Sequence, residues 1–449
     1  MRIVINTLVL LIFAAMISAC NGSDPAAPKN DGSDSTFSGK SELPNVTVLP
    51  PAVAPSNETV VLPPQTTTAL KDLGPIVWPL PLPEAQPTAA PQAVQVGTRP
   101  YYLVDSMSDG PLKTKLKSCA NGPFKRTDFA IAHRGAPLEF PVHTKEGYEA
   151  AIRMGAGILE CDVTLTKDKQ LVCRHSQCDL AQTTDVLSNK ELAAKCSVPF
   201  KPADGAKTAS VSCCTYDFTL AEFETLKGKL AGSNPDATKP GEYLKNVADW
   251  RTGLYTRGTV MSHAQSIALF DAAGVKMTPE LKKITLPPGY TRDNFRQQLV
   301  DEYKAAKIDP SKVSIQSDNL DDVLYLIAHE PEFGKGASYL WSPSSTVSDD
   351  RLATLYSQGI RTISSAVGNL YDTEKTTNKL IPSAAATKAK KAGFELVGWT
   401  MEHDDDVPGE NGDDVYGLMD VLANDVGVKG VFSDWVGTTS YYASCMGLK

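Results

Sequence analysis

The chain has 449 residues, 42% of them hydrophobic, and a net charge of -8. That balance, with no Lys/Arg cluster above the background, excludes a nucleic-acid backbone as the expected partner. The length admits two or three average domains or one barrel of about 250 residues with additions, so domain boundaries have to come from composition shifts.

Arg2 precedes an apolar run from Ile3 to Ala15, too short to span a bilayer comfortably. The run leads into "ISAC", Ile17 to Cys20, which resembles the lipobox of bacterial lipoproteins. The resemblance implies a signal peptide over residues 1-19 and a lipidated Cys20, whose several acyl chains give stable membrane anchoring. The alternative is an ordinary secretory signal and a soluble secreted protein. Either exports the chain. The expected location is the bacterial cell envelope, as a lipoprotein of the outer membrane facing the periplasm or the surface. No later stretch is apolar for long enough to cross a membrane.

Between Asn21 and Pro100 lie 15 of the chain's 31 prolines and no cysteine. Such a segment cannot bury enough apolar surface to offset chain entropy, so residues 20-98 read as a disordered Pro/Ser/Thr-rich tether. As a flexible coil it reaches roughly 50 Å. The globular domain is expected over 99-449.

Eight cysteines follow the tether: Cys119, Cys161, Cys173, Cys178, Cys196, Cys213, Cys214 and Cys445. An even count in an exported chain favours disulfides, with the connectivity open. Pairing Cys119 with Cys445 would pin the first globular segment to the last, which suits a closed barrel. Zinc is disfavoured because no pair of Cys-x-x-Cys units is present.

From residue 128 strands alternate with helices. "DFAIAHR" predicts a first strand, "TKEGYEAAIRMG" a helix, "GILECDVTLT" a second strand and "LVCRHS" a third. An insertion of about 184-261 interrupts the rhythm, with a helix near "TLAEFETLKGK". The alternation resumes with "HAQSIALFDAAG" and "VKMTPELK", and it continues through "KVSIQS", "ASYLWS" and "FELVGWT" to "VKGVFSD". The strand around "IRTISSA" is left open. Repeated βα units argue for a parallel sheet, and about eight of them for closure into a TIM (β/α)8 barrel with its chemistry at the C-terminal ends of the strands.

Several strand ends carry groups that are costly to bury. Glu160 and Asp162 are two residues apart and share one side of their strand, inward, while Cys161 faces the helices. Glu280 and Lys282 repeat this spacing, and His133 with Arg134, then His175, end two further strands. Three carboxylates of matching parity inside a barrel point to a divalent metal with hard oxygen ligands, Ca2+ or Mg2+, or else to a structural ion network with Lys282 and Arg134.

The series "IAHRGAPLEFPVHT", "GAGILECDVTLTKDKQLVCRHSQCDLAQTTDVL", "TPELK", "VSIQS", "ELVGWT" and "GVKGVFSD" resembles, in order, the motifs of glycerophosphodiester phosphodiesterases, most closely an exported, cysteine-containing branch. The resemblance implies metal-dependent hydrolysis of glycerophosphodiesters, such as glycerophosphocholine or glycerophosphoethanolamine, to sn-glycerol 3-phosphate and an alcohol. It implies His133 and His175 as the acid-base pair, Glu160, Asp162 and Glu280 as metal ligands, and Arg134 and Lys282 as phosphate contacts. Gln316, Trp399, His403 and Trp435 are candidates for the substrate pocket. Two imidazoles suit the proton transfers near neutral pH. A lysophospholipase D type activity and a non-catalytic phosphodiester-binding lipoprotein stay as alternatives, and no protein partner is evident.

The chain departs from the family pattern at Val142, which stands in place of an acid, at Asp318 in place of an aromatic, and at Glu402 where many members carry Asn. "SDWV" also lacks the usual Pro. Of the other histidines, His263 and His329 are expected at the surface, and His143 is expected to open the first barrel helix and serve it structurally.

Overall fold

The computed structural model describes residues 93–245, 257–403 and 411–449. The expected signal peptide, Cys20 and nearly all of the expected tether lie outside them. Nine strands form the main sheet: β1 (Thr127–Ala132), β2 (Ala156–Leu165), β3 (Leu171–Cys173), β4 (Lys276–Leu281), β5 (Gln316–Ser317), β6 (Ser338–Leu340), β7 (Thr362–Ala366), β8 (Glu395–Met401) and β9 (Gly430–Ser433). All but β3 pair in parallel in chain order, and β9 returns to β1, so eight strands close into the expected barrel. The uncertain "IRTISSA" segment supplies β7.

β3 departs from the βα rhythm. It pairs antiparallel with β2, because the short turn between them closes a hairpin and leaves no room for the crossover that a parallel neighbour needs. The insertion follows this hairpin and packs around a small core of its own, including Leu180, Val186, Phe218, Phe223 and Val260. Disulfides Cys178–Cys214 and Cys196–Cys213 clamp it, which explains why two adjacent cysteines are needed. Cys161–Cys173 ties β2 to β3, and Cys119–Cys445 joins the two ends of the domain as expected.

The helices in chain order are α1 (Arg99–Ser106), α2 (Pro111–Ser118), α3 (Lys145–Arg153), α4 (His263–Ala272), α5 (Arg292–Ala305), α6 (Leu320–His329), α7 (Asp349–Ser357), α8 (Ala384–Lys391) and α9 (Val436–Met446), with a helical run over 413–426 between β8 and β9 and shorter turns elsewhere. Side-chain caps set several of the starts: Thr144, Ser262, Thr291 and Ser383 accept hydrogen bonds from the amides of Gly147, Gln265, Asn294 and Ala386. Each satisfies a donor that the first helical turn leaves unpaired. Residues just before the expected boundary at 99 already pack on the domain: the Gln95 amide donates to the Arg153 carbonyl at 2.9 Å and Val96 is buried.

Strand register decides which side chains meet. Asp162 lies opposite Glu280, Glu280 opposite Gln316, and Gln316 opposite Ser338, so four neighbouring strands present these residues side by side on the inner face. His263 corrects one expectation: it is buried on α4, with Nδ1 2.7 Å from Glu302 and Nε2 3.2 Å from the Tyr303 hydroxyl. Those two partners on α5 make its burial tolerable. His329 is exposed on α6 as expected.

A buried ion cluster fixes the end of β4. Asp322 accepts hydrogen bonds from Arg292 and Arg296 of α5 and from Ser317 of β5, while Arg292 also donates to the carbonyls of Leu281 and Lys282. Burial raises the Asp322 carboxyl, but the hydrogen bonds and charges of these donors outweigh it and hold the group below its ordinary value of 3.8. Asp322→Asn leaves Arg292 without its counterion and Arg296 with Asp293 alone, and is expected to cost about 3 kcal/mol in urea unfolding at pH 7. A depressed carboxyl pKa stabilises the fold fully above the unfolded value near 3.8. That contribution shrinks as pH falls below the unfolded value and is gone once pH has passed the lower folded value, so the gap between wild type and variant should narrow only below about 3.8.

Candidate active site

The C-terminal rim of the barrel gathers the expected residues. One oxygen from each of Glu160, Asp162 and Glu280 lies within 4.8 Å of the others. Buried carboxylates this close cannot all stay ionised without compensation. Burial, then the neighbouring Asp162 and Glu280, pushes Glu160 far above its usual range, and burial pushes Glu280 up to about 7. Asp162 goes the other way. Burial raises it, but Lys282 and His143 together hold it well below its ordinary value.

Each carboxylate has a holder. Gln316 donates from Nε2 to Glu160 Oε1 at 2.8 Å, and the Arg134 amide donates to Oε2 at 3.1 Å. Lys282 Nζ stands 2.8 Å from Glu280 Oε1 and 4.0 Å from Asp162 Oδ1. The Arg134 guanidinium is 3.6 Å from Asp162 Oδ2. Asp162 Oδ1 is buried and accepts no hydrogen bond from the described residues. An orphaned buried oxygen in a set of hard donors fits a divalent metal ion, and Glu160, Asp162 and Glu280 could hold one.

His143 belongs to this site, which corrects its expected role in opening the helix. Thr144 caps α3 instead. His143 is fully buried with a left-handed backbone, φ 52, its Nε2 2.8 Å from Asp162 Oδ2 and its Nδ1 2.8 Å from the Tyr148 hydroxyl. Burial lowers its pKa to about 4. The ring is therefore neutral near pH 7, donating through Nε2 to the carboxylate and accepting at Nδ1 from Tyr148. Val142, the departure beside it, is buried, and its carbonyl accepts from Arg174 at 3.2 Å.

His133 continues the β1 ladder, its amide donating to the Ser433 carbonyl at 3.2 Å. Its Nδ1 lies 2.5 Å from Asp434 Oδ1, and Nε2 faces Glu160 at 4.0 Å. Donation from Nδ1 to the acid selects one tautomer and aims Nε2 into the carboxylate cluster. Asp434 was missed in the sequence, although its place at the end of "GVFSD" is the same strand-end signal that marked the others. His175, half-buried, follows the β2–β3 hairpin two residues after Cys173. Burial, then the charges of Arg134 and Lys282, holds it well below its ordinary pKa, and Asp162 and His133 also act on it.

The candidates for the substrate pocket divide. The His403 ring lies 5.9 Å from that of His133, and Trp399 is 37% exposed at the end of β8. Gln316 is buried against Glu160 and lines the acidic cluster rather than an outer pocket. Trp435 lies beneath the Arg99 guanidinium, 4.8 Å from the ring centre. Asp318 is exposed beyond β5. Glu402, the departure noted in the sequence, is buried and paired with Arg99, a residue that the sequence did not mark.

Fold and rim together define a (β/α)8 barrel enzyme with an acidic, histidine-bearing site. The family model of the glycerophosphoryl diester phosphodiesterase family matches residues 133–438. The chain belongs to this family, and its activity is the hydrolysis of glycerophosphodiesters. It is 37% identical over 246 residues to an "Extracellular protein" of Arthroderma benhamiae, covering 49% of this chain and 100% of the relative. It is 24% identical over 369 residues to glycerophosphodiester phosphodiesterase GDPD6 of Arabidopsis thaliana, covering 77% of this chain and 92% of that one. A crystal structure from Silicibacter pomeroyi, provisionally described as a glycerophosphoryl diester phosphodiesterase, shares the fold. Its TM-score is 0.50 at 18% identity, covering 75% of this chain and 99% of that chain.

The His143–Asp162 contact generates a test. His143→Ala removes the donor that orients Asp162 and is expected to lower phosphodiesterase kcat/KM by roughly tenfold or more. His143→Asn should keep most of the activity, because Asn tolerates the left-handed backbone and retains an N–H donor. Steady-state kinetics of the two variants check it; equal losses would count against the hydrogen bond.

Proposed function

We propose that the protein hydrolyses glycerophosphodiesters to sn-glycerol 3-phosphate and an alcohol in a metal-dependent reaction with His133 and His175 as the acid-base pair. The observation that carries this reading is the meeting, on one barrel rim, of three carboxylates within 4.8 Å with two imidazoles and two cationic side chains. Glu160, Asp162 and Glu280 would hold a divalent cation, Ca2+ or Mg2+, which would supply positive charge against the charge that develops on the phosphoryl oxygens. Arg134 and Lys282 bind the phosphate and add to that charge from fixed positions. One imidazole takes the proton of the attacking hydroxyl as its oxygen bonds to phosphorus, whether that hydroxyl is water itself or belongs to the substrate's glycerol, in which case water opens the cyclic phosphate in a second step. The other gives a proton to the leaving alkoxide as the old P–O bond breaks. Asp434 keeps the His133 ring in register for either task.

The test measures glycerol 3-phosphate release from glycerophosphocholine, with Mg2+ or Ca2+ and with chelator. Wild type with metal should be active and chelated enzyme inactive, and His133→Ala and His175→Ala should each lose roughly a thousandfold. No release with either metal overturns the reading, whereas chelator-resistant release overturns the metal alone. Competition by lysophosphatidylcholine would move the substrate toward an acyl-bearing phosphodiester.

Four disulfides and the extracellular relative support export, since such bonds persist in oxidising compartments. None of the described helices is long and apolar enough to cross a membrane. The proposed anchor is a lipid on Cys20, in a bacterial envelope. Cys20→Ala should move the protein from the membrane fraction to the soluble one in cell fractionation; retention in the membrane would reject the anchor.

A further inference from the structure

The geometry points to a catalytic function for the segment that precedes the barrel. We propose that Arg99 is a positioning residue which, through Glu402 and Trp435, holds the ends of β8 and β9 so that Asp434 aligns His133. This rests on the proposed role of His133. The segment lies outside residues 133–438, the part that the family model matches.

Residues 95–106 pack backbone to backbone on the late part of the barrel. A Cβ on Gly437 would come within 2.2 Å of the Val96 carbonyl oxygen, and one on Gly412 within 1.8 Å of the Leu103 carbonyl oxygen, so both contacts require glycine. The Tyr416 hydroxyl, Ser106 and Ser108 add hydrogen bonds across the same seam, to the Pro100 carbonyl, the Gly412 amide and Asp413. This packing delivers Arg99 to the catalytic rim.

There Arg99 Nε donates to Glu402 Oε1 at 2.7 Å, and its guanidinium lies over the Trp435 ring at 4.8 Å. Glu402 follows Met401, whose carbonyl accepts the Asp434 amide at 3.2 Å, and Trp435 follows Asp434. Arg99 thus grips the residues that succeed both partners of this hydrogen bond, one on each strand. Asp434, set by that bond, is the acid 2.5 Å from His133 Nδ1.

Glu402 has a left-handed backbone, φ 50, which disfavours a long side chain. Its side chain is fully buried, with Thr438 as a further donor at 3.4 Å. A buried carboxylate at a costly backbone position needs a strong compensating contact, and the ion pair with Arg99 provides it. Removing Arg99 takes away both this ion pair and the stacking on Trp435, so the ends of β8 and β9 lose their common tie and Asp434 shifts with them.

The test uses the full-length chain in detergent, with Arg99→Ala, Arg99→Lys, Glu402→Gln and the double variant Arg99→Ala/Glu402→Gln. Arg99→Ala and Glu402→Gln should each lower kcat by roughly tenfold while KM stays within about twofold, as expected for a small misplacement of an acid-base group. The double variant should fall no further than the weaker single, because both break one contact. Arg99→Lys should recover most of the loss. Unchanged kcat in a folded Arg99→Ala protein, or a rise in KM alone, overturns the inference. If Arg99→Ala fails to fold, judged by thermal unfolding, Glu402→Gln decides by the same criteria. Inactive wild type, or full activity of His133→Ala, would instead strike the proposed function, so the two failures are distinguishable.

Discussion

Like charges confined at the top of a barrel constrain everything around them. Glu160, Asp162 and Glu280 bring their oxygens within 4.8 Å, and such carboxylates repel unless countercharge or protons intervene. The surrounding residues answer that repulsion from every side. Lys282 and Arg134 supply charge, while His143 and Gln316 donate hydrogen bonds. The Asp322 cluster in turn holds the backbone of Lys282 through Arg292. Even so, Glu160 and Glu280 remain raised, and a bound cation would remove that cost. A site that repels itself when empty is well matched to a charged ligand.

The framework suits export. Cys161 sits between two of the carboxylates and bonds to Cys173, so the strand that carries Glu160 and Asp162 is covalently tied to β3, which leads to His175. The insertion is held by two disulfides around its own small core, and the domain ends are joined across 326 residues by a fourth. Cross-links of this kind limit the unfolded ensemble, most for long loops. They stabilise segments whose apolar core alone is modest.

Much of this was legible from alternation. Glu160 and Asp162, two apart on a strand, had to share a face, and Glu280 with Lys282 repeated the pattern because a strand has a period of two. Cys161 between them had to point away, and it does. His263 was misread because its helix pattern says nothing about what packs on it. Glu302 and Tyr303, forty residues later, bury and satisfy its ring. His143 was misread for a related reason. It stands next to a helix cap, yet its left-handed backbone turns the ring toward Asp162. Asp434 carried the strand-end signal and was passed over in a motif valued for its missing proline.

The sequence by itself determined the fold class, the barrel residues that face inward, the three carboxylates with their two histidines, and the cysteine-rich character of the domain. These follow from local periodicity and from the cost of burying charge, which act residue by residue. Tertiary structure alone decided the antiparallel β3, three of the disulfide pairings, the partnership of His143 with Asp162 and of Asp434 with His133, and the reach of Arg99 to Glu402. Each of these depends on register and closure, which bring together residues as many as 303 positions apart. No local pattern encodes such a contact, because the strands that meet are chosen only when the barrel closes.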